Sequence, residues 1–251
     1  MSQFETRTSR RDFLRSSAVA VAAPSVLATV ARAAERAAAP QDAKPLQVAM
    51  ITGGHKYDEP NFAKLLDSLQ GMKAGVQLMR DFSAAPEKVR DSFDVVVFYT
   101  MLMKDPEGTD KVALEHLGAT EQGIVVLHHA ILGYPKWPVW TEITGLPDRS
   151  FKFREDLELH VDVANPNHPI TQGLKPWDMI DETYKMADAR PGSEILLTID
   201  HPTSMKTIGW TRQYKKSRVF CFQSGHDNKT WANPNFREVL SRGIRWCARK
   251  I

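Results

Sequence analysis

Only two cysteines occur in 251 residues, Cys221 in an apolar strand-like run and Cys247 in a C-terminal helical pattern. Their spacing fits neither a metal knuckle nor a disulfide framework, so a buried structural thiol is the expected state of each. An excess of charge of one sign is missing too. The 33 Lys and Arg against 30 Asp and Glu leave a net charge of +3, and several of the arginines fall in the first 36 residues. The remainder is close to neutral and lacks the basic footprint of a nucleic-acid-binding protein, so no nucleic-acid partner is expected. A Gly-x-Ser-x-Gly elbow, a phosphate loop, a dinucleotide fingerprint and a His-Glu-x-x-His pair are all absent. Serine-triad, nucleotide-driven and zincin chemistry are therefore unsupported.

What is present begins with a leader. Ser9-Arg10-Arg11-Asp12-Phe13-Leu14-Arg15 fits the twin-arginine export pattern. An alanine-rich run from Ser16 to Ala31 follows, and Ala31-Arg32-Ala33 supplies a small-x-small cleavage site. The run is short and broken by Pro24, which argues against a permanent membrane span. Residues 1–33 are read as a twin-arginine signal peptide, 34–45 as an Ala- and Pro-rich linker and 46–251 as one folded domain. The implied location is the periplasm or another extracytoplasmic space.

The folded part alternates buried strands with helical patterns. Strands are expected at 46–52, 76–79, 93–99 and 123–127, with helical segments at 60–71, 84–91 and 111–117 between them. That order implies a parallel sheet with right-handed crossovers. Residues 133–153, rich in Pro, Trp and Gly, read as an irregular lid or wall carrying Tyr134, Trp137 and Trp140, or as an aromatic cluster over a sheet edge. Residues 157–163 alternate as an antiparallel or edge strand would. Met179 to Tyr184 is a mixed segment, 194–199, 206–210 and 218–222 are further strands, and 233–248 is a closing helix with a good N-cap.

Three of the apolar strands end in histidine. Residues 46–52 run into Gly53-Gly54-His55, 123–127 into His128-His129, and 218–222 into Gln223-Ser224-Gly225-His226-Asp227. On parallel neighbours these ends share one sheet edge, and their imidazoles converge in one crevice. Convergent imidazoles bind a divalent transition metal, zinc first among candidates, and His55, His128 and His226 are the candidate ligands. Alternatively one ring stays free as a general base, for which His55 and His129 are the candidates. Nearby carboxylates are Asp58, Glu59, Asp227 and the adjacent Asp181 and Glu182, of which the last two are candidates to orient a ring. Taken singly, each such residue is equally explained by turn hydrogen bonding. His160, in an alternating strand, and His168 and His201, each before a proline, are given structural roles.

From about Leu46 to its end the chain resembles the ThuA-like proteins, named for trehalose utilisation. The resemblance is carried by Thr52-Gly53-Gly54-His55, by Gly123-Ile124-Val125-Val126-Leu127-His128 and by His168-Pro169-Ile170-Thr171-Gln172-Gly173-Leu174. Asp181-Glu182-Thr183-Tyr184, Arg218-Val219-Phe220 through Gly225-His226-Asp227, and Gly243-Ile244-Arg245-Trp246-Cys247-Ala248 complete it. It implies an α/β fold related to class I glutamine amidotransferases, a three-layer flavodoxin-like sandwich with a mostly parallel central sheet. In those enzymes a nucleophilic cysteine occupies the sharp turn after a central strand. Here that turn holds His128-His129, so no thiolate is available to attack a glutamine amide.

The resemblance further implies a carbohydrate or keto-sugar substrate, a sugar dehydrogenase as pathway partner, and isomerisation, elimination, hydration or hydrolysis as the reaction. Trp137, Trp140 and Trp231 are then candidates to stack on a sugar ring, and Asp227 to bind it, with core packing as the other reading of each tryptophan. A non-catalytic sugar- or protein-binding module of the same fold is the competing expectation. Two places depart from the family pattern, Lys56-Tyr57-Asp58 after the first turn and Lys215-Lys216-Ser217 in a hairpin. The first leaves the role of Asp58 open; the second should not disturb the fold.

Overall fold

The computed structural model describes residues 44–251. The leader expected over 1–33, and all but the last two residues of the linker expected over 34–45, lie outside the described residues.

Apolar runs without alternation make strands that are covered on both faces. β1 (Leu46–Gly53), β3 (Val95–Thr100) and β4 (Gly123–Leu127) are of this kind, as is β9 (Ser217–Phe222), with the more exposed β2 (Met72–Leu78) at the edge. These five run parallel in the order β2-β1-β3-β4-β9, the flavodoxin arrangement. Their side chains point alternately to the two faces. Val48, Met50, Val97, Val125 and Phe220 pack with α1 (Glu59–Asp67), α6 (Asn228–Ala232) and α7 (Pro234–Cys247). Ala49, Ile51, Val96, Phe98 and Cys221 pack with α2 (Met79–Ala84), α4 (Gly108–His116) and α5 (Pro138–Thr144). The three layers follow from that division, and α3 (Glu87–Arg90) is a single turn before β3.

Beyond β9 the sheet changes character. β8 (Thr207–Tyr214), β7 (Glu194–Ile199), β5 (Lys152–Val163) and β6 (Trp177–Lys185) continue it with antiparallel pairings throughout. Four pairings are parallel and four antiparallel, so the sheet is mixed rather than mostly parallel as the sequence reading expected. The reason is local. Lys215 and Lys216 join β8 to β9 in a two-residue turn, with Lys215 at φ 48°, and a two-residue hairpin can only connect antiparallel neighbours.

Residues 133–153 are not a lid. Pro138–Thr144 is helical, and Tyr134, Trp140, Ile143 and Leu146 are core residues. The buried Arg149 ties the segment down by donating to the carbonyls of Gly133, Tyr134 and Leu146 at 3.1, 2.6 and 2.6 Å. Composition typical of a loop is here overridden by tertiary hydrogen bonds. Among the described residues, no helix is long and apolar enough to cross a membrane.

β6 is last in the sheet order, yet its outer edge is not open. Its alternate carbonyls, from Asp178, Ile180, Glu182 and Tyr184, accept from Asn233 Nδ2, Thr230 Oγ1, Gln223 Nε2 and the Met205 N–H at 3.1, 2.9, 2.8 and 2.7 Å. The unpaired edge that a sheet must otherwise protect is thereby filled. The same bonds hold Asp181 and Glu182 against the C-terminal turn of β9.

Candidate functional site

β1, β4 and β9 are parallel members of one sheet, and their C-terminal ends lie on one edge. The turn after β1 needs glycine: Gly54 has φ +78°, and a Cβ there would stand 2.1 Å from the Met101 carbonyl oxygen. His55 follows in an exposed position. After β4 the chain turns at once, with His128 at φ 55°, a left-handed value uncommon for a residue with a side chain. A 3-10 helix from His128 to Leu132 then carries His129 into the interior.

The expected convergence is found. Ring centroids are separated by 4.7 Å for His55 and His129, 4.9 Å for His129 and His128, and 5.4 Å for His128 and His226. Four imidazoles thus form a row along the strand ends, open at His55, buried at His129 and His128, and partly open at His226. Tyr99, at the end of β3, packs on His129 at 4.5 Å, and its hydroxyl lies 3.1 Å from the Gly225 carbonyl and 3.3 Å from that of His226. Burial raises the Tyr99 phenol well above its usual range, so it stays a donor.

Glu182 is the hub of the buried end. Its Oε2 lies 3.1 Å from His128 Nε2 and 3.2 Å from His226 Nδ1, and it accepts the Tyr184 hydroxyl at 2.7 Å. Burial by itself would raise the Glu182 carboxyl, but the neighbouring His128 and His226 imidazoles and the Tyr184 hydroxyl outweigh it and hold the group well below the usual carboxylate range. The partner effect raises His226, chiefly through Glu182. The Nδ1 contact of His226 is close but not aligned as a hydrogen bond. His128 Nδ1 lies 2.9 Å from the Gln223 carbonyl, and since a carbonyl only accepts, Nδ1 carries the hydrogen. His129 is different: neither ring nitrogen has an aligned partner, and burial, with charge at His128 and His55, pushes it down to about 2. It is a neutral ring at any ordinary pH.

The remaining expected site residues fall elsewhere. Asp181 is fully buried and serves the main chain, accepting the N–H groups of Gly225 and His226 at 3.1 Å each and the Thr230 hydroxyl at 2.8 Å. Asp227 caps α6, accepting the Lys229 N–H at 2.8 Å. Asp58 caps α1 and accepts from Asn228 Nδ2 at 2.8 Å, so it links the β1 turn to α6. Trp140 and Trp231 are 0% and 2% exposed, and each indole N–H donates to a backbone oxygen, of Ala130 and Gly225 respectively, at 2.9 Å. Trp137 is 8% exposed within the same wall. Core packing, not an open ring face for a sugar, is what the structure gives these three. His160, His168 and His201 bond to Asp178, Ile170 and Thr203, outside the cluster.

The metal set expected from sequence, His55, His128 and His226, is not assembled, because His55 meets His129 instead. The structure brings together His128, Glu182 and His226, whose ligand atoms all lie within 4.8 Å of one another. Two imidazoles and a carboxylate are a donor set for zinc or non-haem iron. Beside the open end, a cavity of about 650 Å³ is lined by Gly53, His55, Tyr57, Asp58, Glu59 and Leu78. A separate cavity of about 730 Å³, lined among others by Asp162, Lys185, Asp188 and His201, contains no member of the row. Tyr99, Tyr184 and Gln223 are site residues given no role from sequence. The signal was there for Tyr99 and Gln223, since each sits at the end of a parallel strand that delivers to this edge.

A three-layer α/β sandwich with parallel strands in the order β2-β1-β3-β4-β9 and its site at their C-terminal ends belongs to the flavodoxin-like class of folds. Within that class the chain belongs to the ThuA family, whose model, described as trehalose utilisation, matches residues 47–247. Similar solved structures include a ThuA-like protein from Parabacteroides merdae ATCC 43184, at TM-score 0.67 and 21% identity over 82% of this chain and 90% of that one. A ThuA-like protein from Bacteroides uniformis ATCC 8492 gives TM-score 0.64 and 18% identity over 84% and 94%. A protein described as a GMP synthase component from Thermoplasma acidophilum shares the fold at TM-score 0.52 and 11% identity, over 82% and 95%. At these identities the likeness is one of fold. No curated protein matches the chain. Neither cysteine lies at the nucleophile turn; both are buried, and burial pushes both thiols up.

Proposed function

We propose that this chain is an exported enzyme of carbohydrate metabolism that moves a proton next to a sugar carbonyl. The observation that carries the reading is the row of strand-end imidazoles from His55 to His226, closed at one end by Glu182 and open at the other to a cavity. A substrate reaches His55 without rearrangement, whereas His129 behind it is buried, so His55 is assigned as the base and His129 as its neutral backing ring. On a keto-sugar, His55 takes the proton from the carbon beside the carbonyl, and the electron pair moves to the carbonyl oxygen as an enediolate. Return of the proton to the former carbonyl carbon, with the proton of the adjacent hydroxyl passing to the enediolate oxygen, isomerises the sugar; departure of a leaving group with its bonding pair from the next carbon eliminates it. The family supports a carbohydrate as substrate class, and the arginine pair of the leader supports export to the periplasm.

The test is deuterium wash-in. Full-length protein in D2O is incubated with trehalose, maltose and their 3-keto derivatives, and the sugars are followed by NMR. Exchange beside the carbonyl, fast in wild type and lost in His55→Ala, is the expected result. Unaltered exchange in the variant removes His55 as base, and sugar binding without any exchange or conversion makes the chain a binding module.

A further inference from the structure

Three side chains from separate segments meet at one point, and with their imidazoles neutral they have too few hydrogens to satisfy one another. When His128 is neutral, its single ring hydrogen is the Nδ1 hydrogen donated to the Gln223 carbonyl, and Nε2 presents a lone pair. That lone pair faces Glu182 Oε2 at 3.1 Å and the Tyr184 oxygen at 3.0 Å. Tyr184 has one hydrogen, and its shorter contact, 2.7 Å, is to Glu182. His226 Nδ1 brings a third donor atom to within 3.2 Å of the same Oε2, again without an aligned hydrogen bond. Lone pairs crowded together in a buried place call for a cation among them.

We propose that His128 Nε2, Glu182 Oε2 and His226 Nδ1 form a divalent-cation site of the kind that takes Zn2+, with a further coordination position left for water or substrate. Zinc bonds of about 2.0–2.1 Å in a tetrahedral arrangement set neighbouring ligand atoms roughly 3.3 Å apart, close to the two separations observed. The outer contact of His128 is that of a metal ligand. The second nitrogen of a metal-bound imidazole normally donates to a carbonyl or carboxylate, as His128 Nδ1 does to the Gln223 carbonyl at 2.9 Å. The ligands are also held in advance. His128 is fixed by the left-handed turn after β4, and the main chain of His226 by Asp181.

The exposed group of Glu87, Asp91 and His116 makes a useful contrast. There each ring nitrogen of His116 faces its own carboxylate, at 3.4 and 3.0 Å, and ion pairing alone accounts for the geometry. In the buried group one carboxylate oxygen serves two rings. The proposal deepens the functional reading above, because a bound cation supplies the charge that stabilises an enediolate. The existence of the site does not depend on that reading.

The experiment uses the full chain, stripped of metal with a chelator and titrated with Zn2+ by calorimetry and with Co2+ by visible absorption. Near-stoichiometric binding, a d–d band of a low-coordinate ion and a higher melting temperature with Zn2+ are expected. His226→Ala and Glu182→Gln each weaken Zn2+ binding by at least about tenfold, while His160→Ala at the exposed His160–Asp178 pair leaves it unchanged. His226 is partly open, so its variant keeps the fold and the result interpretable if Glu182→Gln unfolds. A wild-type protein that takes no Zn2+ at micromolar concentration, or that binds it equally well after His226→Ala, overturns the site. Zn2+ binding without any sugar turnover retains the site and removes the enzymatic reading; sugar turnover without Zn2+ binding does the reverse.

Discussion

The Asp181 carboxylate accepts the main-chain N–H of His226 at 3.1 Å, so a buried acid on the edge strand fixes where a site histidine stands. The same carboxylate takes the Gly225 N–H and the Thr230 hydroxyl. Burial raises its pKa, and the neighbouring His128 and these donors offset that only in part. Each main-chain partner is an obligate donor, which a carboxyl oxygen of Asp181 satisfies. Its neighbour Glu182 faces the imidazoles themselves. Two adjacent carboxylates thus divide the work, one holding the backbone of the turn and the other its side chain.

Removal of the first of these should cost stability before it costs chemistry. Asp181→Ala leaves buried N–H groups at Gly225 and His226 without an acceptor, and a loss of about 3 kcal/mol is expected. Thr230→Val, which deletes one of the donors, should lose only about 1 kcal/mol. Urea midpoints at constant slope would measure both. An Asp181→Ala protein as stable as wild type means that the turn is held by something else.

His55 should behave in the opposite way. It is exposed and its ring packs on His129, so His55→Ala should change the unfolding free energy by less than about 0.5 kcal/mol. Deuterium wash-in on a keto-sugar should fall by about a hundredfold or more, the usual loss when a general base is removed. Equal rates at equal stability would take His55 out of the chemistry.

The part of this site that can be read from sequence is the part made by single strands. Runs such as Val95-Val96-Val97-Phe98 announce strands covered on both faces, and parallel strands share an edge, so the delivery of His55, His128 and His226 to that edge follows from the order of the segments, whereas which rings touch does not. Glu182 was visible as a carboxylate but not as the hub. Its place depends on Gln223, Thr230 and Asn233 reaching β6 across 41 to 55 residues of chain, and such contacts leave no period in the sequence. The aromatic wall misled for a related reason. Pro, Gly and Trp mark loops by composition, whereas Trp137 and Trp140 are buried in a segment that Arg149 ties down by binding several of its carbonyls.

Trp140 provides a direct check on that wall. Its indole donates to Ala130 at 2.9 Å and lies edge-on to Phe98 at 5.1 Å and Tyr134 at 5.2 Å. Trp140→Phe keeps an aromatic ring but removes the indole donor and leaves a void beside Phe98 and Tyr134, while the Ala130 carbonyl keeps the Gly133 N–H, and a loss of about 2 kcal/mol is expected with no change in sugar affinity. Weaker sugar binding at unchanged stability would show that the indole touches ligand after all.

The pH dependence of stability should carry the mark of His168. Its ring packs on Trp246 at 5.2 Å, and its Nδ1 accepts the Ile170 N–H at 3.2 Å, a bond that protonation at that nitrogen abolishes. Burial is the main cause holding its pKa below the usual 6.5, opposed by Glu194. The unfolded chain therefore binds this proton more tightly than the folded one. Stability contributed by the neutral ring is complete above the unfolded value and is lost as the pH falls below it towards the folded one. His168→Gln cannot titrate, so the difference between wild-type and variant unfolding free energies should shrink or change sign between about pH 7 and pH 5. Comparing the two proteins cancels the contribution of other histidines, and parallel curves across that interval would show that His168 is protonated as easily in the fold as outside it.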